Sequence, residues 1–126
     1  MKKCNVFVYG TLMQGYCNHH YLSNNENVRY LGKGILNDYE MYHIEDYPGI
    51  LPKQEEKILG EVYSVDGEVL ANLDELEDEG VLYNRVIEKI YLENTKEVIK
   101  AYVYVWRLSV EGKEKVKEMP WKPLEA

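Results

Sequence analysis

The first patterned stretch, Cys4 to Tyr9, is a short run of β-branched and aromatic residues that stops at Gly10, as a buried strand does. Gly10-Thr11-Leu12 then reads as a turn leaving the strand's C-terminal end, and Asn18 to Ser23 carries a brief helical pattern. Val28 to Leu36 and Glu40 to Ile44 have strand character and are joined through Asn37-Asp38, with a turn signal at Tyr47-Pro48-Gly49. Leu51 to Lys57 is polar and reads as exposed, and Ile58 to Val65 resumes a strand in which Gly60 marks a bulge or a close backbone approach. From Glu68 to Asp78 the period becomes helical, with Asp66 offering an N-cap oxygen. Tyr83 to Leu92 and Val98 to Trp106 follow as a hairpin through Asn94-Thr95, and bulk on both faces of the second strand predicts a central position in the sheet. Ser109 to Met119 reads as a charged helix ending at Pro120, with Trp121 as its apolar anchor. Six or so strands with few helices predict an α+β domain on a curved or closed mixed sheet.

A chain of 126 residues and 14.8 kDa predicts one domain, residues 1–126. Its 45% hydrophobic content supplies a core, and no stretch approaches the roughly 20 apolar residues of a membrane span. A formal charge of -7 argues against nucleic acid and anionic lipid as partners, and the start of the chain lacks a signal-peptide core, so the expected setting is cytoplasmic. Cys4 and Cys17 have no CxxC spacing and read as reduced, structural thiols. Twelve tyrosines against one phenylalanine imply a core carrying polar hydroxyl tips, which suits a pocket for a polar ligand.

Candidate chemistry concentrates in two places. On the helix, at about 100° per residue from Val69, Leu73 falls near ~40°, Leu70 near ~100° and Leu76 near ~340°, which defines the buried arc. Glu77 falls near ~80°, inside that arc, while Asp74, Glu75, Asp78 and Glu79 fall outside it at roughly 140° to 280°. A carboxylate in apolar surroundings is pushed toward the pKa of a neutral-pH acid/base. Helical geometry alone leaves two alternatives open for Glu77: a solvated residue on a frayed turn, or an ion pair with Arg85. The second place is Tyr9-Gly10-Thr11-Leu12, where glycine permits close backbone approach and successive N–H groups can form an anion-binding nest; an ordinary strand-ending turn reads the same way. Adjacent His19 and His20 and the isolated His43 lack metal-ligand spacing, so no metal is expected. Cys17 and Ser64 have no nucleophile motif around them.

Taken together, these blocks resemble the gamma-glutamylcyclotransferase-like family. Val6-Phe7-Val8-Tyr9-Gly10-Thr11-Leu12 with Gly15, Asn18 and Leu22 is similar to its opening. Tyr47-Pro48-Gly49, Gly60 to Val65, Leu73 to Glu77 and Tyr83-Asn84-Arg85 are similar to its later blocks in order, and the pattern looks closest to the gamma-glutamylamine branch. The resemblance implies a small mixed β-barrel flanked by a few helices, with a ligand cavity at one end. It implies that Tyr9, Gly10, Thr11 and Leu12 hold the glutamyl part of a small-molecule substrate, that Tyr83 lines the cavity and that Glu77 is the catalytic acid/base. The implied activity needs no cofactor: intramolecular aminolysis releases an amine and 5-oxoproline from a γ-glutamyl amine or related compound. The alternative is a non-catalytic protein of the same fold that binds a γ-glutamyl compound or amino acid. Family members often carry glycine and then proline after the glutamate, whereas this chain has Asp78-Glu79-Gly80-Val81-Leu82.

Overall fold

The computed structural model describes residues 2–23 and 25–124. In chain order its elements are β1 (Lys3–Val8), a 3-10 turn at His19–Tyr21, β2 (Arg29–His43), β3 (Pro48–Asp66), α1 (Gly67–Leu76), β4 (Tyr83–Leu92), β5 (Val98–Trp106) and β6 (Glu114–Lys115). Neighbouring strands follow the order β3-β1-β5-β4-β2, and β2 pairs back onto β3. The five strands therefore close into a barrel, which leaves no open edge between them. β1 and β5 are parallel and the other pairs antiparallel, so the barrel is mixed. β5 lies between β1 and β4, the central place that its two-sided bulk predicts.

Val6, Phe7, Leu36, Ile58, Val62 and Val103 are almost wholly removed from water and form much of the core. Here β1 passes so close to β3 that a Cβ on Gly60 would stand 2.4 Å from the Val8 carbonyl oxygen and 2.7 Å from the Phe7 ring. Glycine at position 60 is thus a condition of the β1–β3 pairing. At the far end of β3 the buried Asp66 accepts the Val69 N–H at 2.9 Å and starts α1, whose Val69 and Leu73 are buried. That N-cap agrees with the sequence, although α1 ends at Leu76, two residues short of the predicted Asp78.

Four other elements differ from expectation. The predicted strands Val28–Leu36 and Glu40–Ile44 are one strand, β2: Asn37-Asp38 is a bulge with Asp38 at φ 66, its carboxylate accepting the Glu55 N–H at 3.1 Å. Opposite it, pairing jumps from Asn37–Lys57 to Tyr39–Pro52, so the polar segment is an exposed excursion within β3. The turn after β2 sits slightly earlier than Tyr47-Pro48-Gly49, because the Ile44 and Glu45 N–H groups both reach the Tyr47 carbonyl and Pro48 already pairs with His43. The charged segment Ser109–Met119 is no helix. It turns at Gly112, pairs Glu114 and Lys115 with His43 and Tyr42, and leads to Trp121, which is 0% exposed. Backbone pairing to β2 and burial of one indole outweigh a helical charge pattern with almost no apolar face.

Gly60 and Gly67 make a direct comparison. Gly60→Ala is expected to destabilise the fold by about 3 kcal/mol or more, because the added methyl meets backbone. Gly67→Ala opens the helix into free space and is expected to stabilise by about 0.5 to 1 kcal/mol. Urea titrations of the two variants beside wild type measure both, and a Gly60→Ala variant of wild-type stability contradicts the close-crossing account.

Candidate active site

Three chain segments meet at one end of the barrel: the exit of β1, the start of β3 and the end of α1. Between them lies an inner chamber of about 330 Å³, counting its open mouth, lined by Phe7 to Leu12, Tyr47, Pro48, Glu77, Tyr83 and Tyr104. An outer chamber of about 580 Å³ on the same count shares Thr11, Tyr47, Glu77 and Tyr83 with it and adds Cys17, Asn18, Asp46, Leu76 and Leu82. Every residue singled out from sequence (Tyr9, Gly10, Thr11, Leu12, Glu77 and Tyr83) faces the inner chamber.

The β1 exit is held by contacts that dictate its shape. A Cβ on Gly10 would lie 2.7 Å from Pro48 Cγ and Cδ, so the first residue of β3 packs where a side chain would otherwise be. The Gly10 carbonyl accepts the Met13 N–H at 3.1 Å and the Thr11 carbonyl accepts the Asn18 N–H at 3.0 Å. In a trans peptide the N–H opposes the C=O, so the Thr11 and Leu12 N–H groups point away from these internal bonds. Among the described residues no acceptor takes them. The Asn18 amide also donates to Thr11 Oγ1 at 2.9 Å, and His19 Nδ1 lies 2.9 Å from the Leu12 carbonyl. Because Thr11 Oγ1 is already an acceptor, its own hydrogen is free to donate elsewhere.

Glu77 is the C-cap of α1, and Asp78 beyond it adopts φ 54, so the helix ends as Glu77 reaches the chamber. Its carboxyl makes no hydrogen bond or ion pair among the described residues, and burial alone raises its pKa from 4.5 to about 7. The ion pair considered for it goes elsewhere. Arg85 pairs with Asp74, whose other oxygen accepts the Tyr104 hydroxyl at 2.8 Å. Asp74 is therefore half-buried and engaged, not turned to water as its wheel angle suggests, because the side chains of Arg85 on β4 and Tyr104 on β5 reach that flank of α1.

Four phenols surround Glu77. Tyr9 donates to the Tyr104 carbonyl at 2.7 Å and Tyr83 to the Pro48 carbonyl at 2.6 Å, so both hydroxyls are committed to backbone. Burial, followed by neighbouring charges that include Glu77, pushes Tyr9, Tyr47, Tyr83 and Tyr104 upward, and all four stay neutral near pH 7. Glu77 is then the group lining the inner chamber that exchanges a proton near neutrality. Trp106 supports two of the walls, with its ring centroid 5.1 Å from Tyr83 and 6.3 Å from Tyr47.

Sequence reasoning missed Tyr47, Pro48 and Tyr104 in the inner chamber and Asn18, Cys17 and Asp46 in the outer one. The tyrosine-rich composition was the available signal for Tyr47 and Tyr104, but only the barrel register places them. Cys17, read as structural, is an exposed free thiol, while Cys4 is half-buried. Among the described residues no His, Cys, Asp and Glu cluster could hold a metal, and no helix is long and apolar enough to cross a membrane.

Comparison with known proteins points to one family. The sequence model of the family described as gamma-glutamyl cyclotransferase, AIG2-like, matches residues 6–123. The gamma-glutamylcyclotransferase family protein YtfP of Escherichia coli (strain K12) is 32% identical over 117 residues, covering 92% of this chain and 94% of its own. CG2811 of Drosophila melanogaster is 37% identical over 113 residues, covering 81% of this chain and 69% of its own. In fold, the chain is similar to an AIG2-like protein of Mus musculus, with TM-score 0.76 at 24% identity over 83% of this chain and 78% of that one. It is likewise similar to the uncharacterized protein PH0828 of Pyrococcus horikoshii, with TM-score 0.71 at 28% identity over 90% and 86% of the two chains. With its closed mixed barrel and a family match across nearly its whole length, this chain belongs to the gamma-glutamylcyclotransferase, AIG2-like family.

Proposed function

We propose that this protein is a cyclotransferase that converts a γ-glutamyl amine into 5-oxoproline and the free amine. The observation that carries the reading is Glu77: a carboxyl without a cation, poised near neutrality, in the same chamber as the free N–H groups of Thr11 and Leu12. Those N–H groups, with the Thr11 hydroxyl, suit the substrate's α-carboxylate and the oxygen that gains charge during attack. The neutral walls of Tyr9, Tyr47, Tyr83 and Tyr104 keep the glutamyl chain curled, and an intramolecular reaction held in this way gains about 7 to 11 kcal/mol from orientation.

Glu77 as carboxylate takes a proton from the α-ammonium. The freed amine attacks the side-chain carbonyl carbon, forming the lactam C–N bond, and the old amide C–N bond breaks as Glu77 returns a proton to the departing nitrogen. Of the three ammonium protons, one stays on the lactam nitrogen and two leave with the amine, so Glu77 ends as it began. No redox partner enters this balance.

Glu77→Gln is expected to keep the fold and lower 5-oxoproline release by about 100- to 10,000-fold. Wild-type kcat/KM is expected to rise with pH through about 7 as Glu77 ionises. Mass spectrometry of incubations with a γ-glutamyl n-alkylamide, whose leaving amine carries no second charge, reads both. Undiminished product from folded Glu77→Gln removes Glu77 from the reaction, and a ligand-induced thermal shift without any product assigns the chamber to binding alone.

The same carboxyl has a stability signature of definite sign. Its folded pKa lies above its unfolded value, so the folded state holds the proton more tightly and loses stability as pH rises from about 4.5 to about 7. Glu77→Gln removes that loss. Its stability relative to wild type is expected to climb across this window by up to about 3 kcal/mol and then level off. Urea denaturation at pH 5 and pH 8 tests this, and a difference that does not change with pH contradicts a proton held by burial.

A further inference from the structure

The outer chamber is where a leaving amine would emerge, since it opens from Glu77 and shares Thr11, Tyr47 and Tyr83 with the inner one. Its own lining has two characters. Leu76, Leu82 and the Tyr47 ring offer apolar surface, and Asp46 offers a carboxylate on the turn between β2 and β3. No lysine or arginine lines it. Asp46 makes no hydrogen bond or ion pair among the described residues, and the basic side chains that bond to the flanking segments direct their donors to other acceptors. Lys113 donates to the Ile44 carbonyl at 3.0 Å, Arg107 donates to the Gly80 and Val81 carbonyls, and Arg85 is paired with Asp74.

Tyr47 connects Asp46 to the reaction centre. Its phenol is raised by burial first and then by Glu45, Asp46 and Glu77, so all three carboxylates act on a single ring in the wall between the chambers. The segment after Glu77 adds Asp78 and Glu79, both exposed.

We propose that the outer chamber selects a leaving amine bearing a second positive charge at the end of a short alkyl chain, as in a diamine or polyamine, with Asp46 as the specificity-determining residue. This inference rests on the cyclotransferase reading of Glu77. Methylenes leaving the scissile nitrogen would run along Leu76, Leu82 and Tyr47, and the terminal ammonium would meet Asp46. A leaving group that ends in a carboxylate, as an amino acid or peptide does, would face Asp46 in a chamber lined by no lysine or arginine. The net charge of -7 favours approach of the same class of substrate.

Three γ-glutamyl amides of matched length test the proposal: the 4-aminobutylamide, the n-butylamide and the 3-carboxypropylamide. For wild type, kcat/KM for 5-oxoproline release is expected to fall in that order, by about fivefold or more per step at low salt, with the steps shrinking as ionic strength rises. Asp46→Asn should bring the cationic and neutral amides within about twofold, and Asp46→Lys should reverse the order. Equal kcat/KM across the series, or an order untouched in both folded variants, overturns the inference. Absence of 5-oxoproline from all three overturns the cyclotransferase reading instead. In that case dissociation constants for the three amides on wild type and Asp46→Asn, measured by calorimetry, decide the charge preference: a cation-favouring order that collapses in the variant supports it, and a flat or unchanged order overturns it.

Discussion

A carboxyl group stands without a cation where the barrel opens, and its surroundings keep it in that state. Arg85 is the basic side chain nearest to hand in sequence, but Asp74, one helical turn before Glu77, takes it together with the Tyr104 hydroxyl. That half-buried pair contributes modestly to stability on its own. Its larger effect is to remove the partner that would hold Glu77 permanently ionised and pull its pKa down instead of up. The tyrosines act in the same direction: burial holds them neutral, so they shape the chamber without supplying charge.

The chamber exists because barrel closure forces distant segments together. Gly60 lets β1 lie against the later part of β3, and past the end of β1 Gly10 accepts Pro48, the first residue of β3, into the space of its missing side chain. Two phenols lock this corner from opposite sides. Tyr9 at the end of β1 reaches β5 through the Tyr104 carbonyl, and Tyr83 at the start of β4 reaches β3 through the Pro48 carbonyl. Both bonds tie residues far apart along the chain, so the loop carrying Thr11 and Leu12 is set by the barrel as a whole. The tail adds a further tie, since Tyr16 of that loop donates to the Trp121 carbonyl at 2.8 Å and packs against its ring at a tilt, with centroids 5.5 Å apart.

Local chemistry was readable in the sequence and long-range register was not. The Asp66 cap, the inward angle of Glu77 and the glycine exit of β1 follow from neighbouring residues, and the structure has each of them. Asp74 escaped because a helical wheel gives direction around an axis without knowing what stands beside it, and the side chains of Arg85 and Tyr104 reach a flank that the leucines leave unmarked. The Asn37-Asp38 break escaped because turn residues and bulge residues have the same composition; the difference is the Glu55 N–H bonded from the facing strand. Tyr47 carries only a turn signal in the sequence, and only the meeting of that hairpin with the end of α1 gives Asp46 and Tyr47 a chamber to line.

In the proposed reaction the two chambers divide the work between geometry and selection. Cyclisation needs nothing from the leaving group beyond a nitrogen that accepts a proton, so the inner chamber can be small, neutral and indifferent to what lies past the scissile bond. Discrimination among amines then falls to groups that do not touch the reacting atoms. Such groups change the rate only as far as their contacts persist into the transition state. A charge at the end of an alkyl chain meets this condition: it stays in place while bonds rearrange at the other end, and its attraction to an exposed carboxylate is little altered by the proton moving at Glu77. The same distance makes the outer wall free to vary at Asp46, which shares no bond with the Asp74–Arg85 pair or the Gly10 corner.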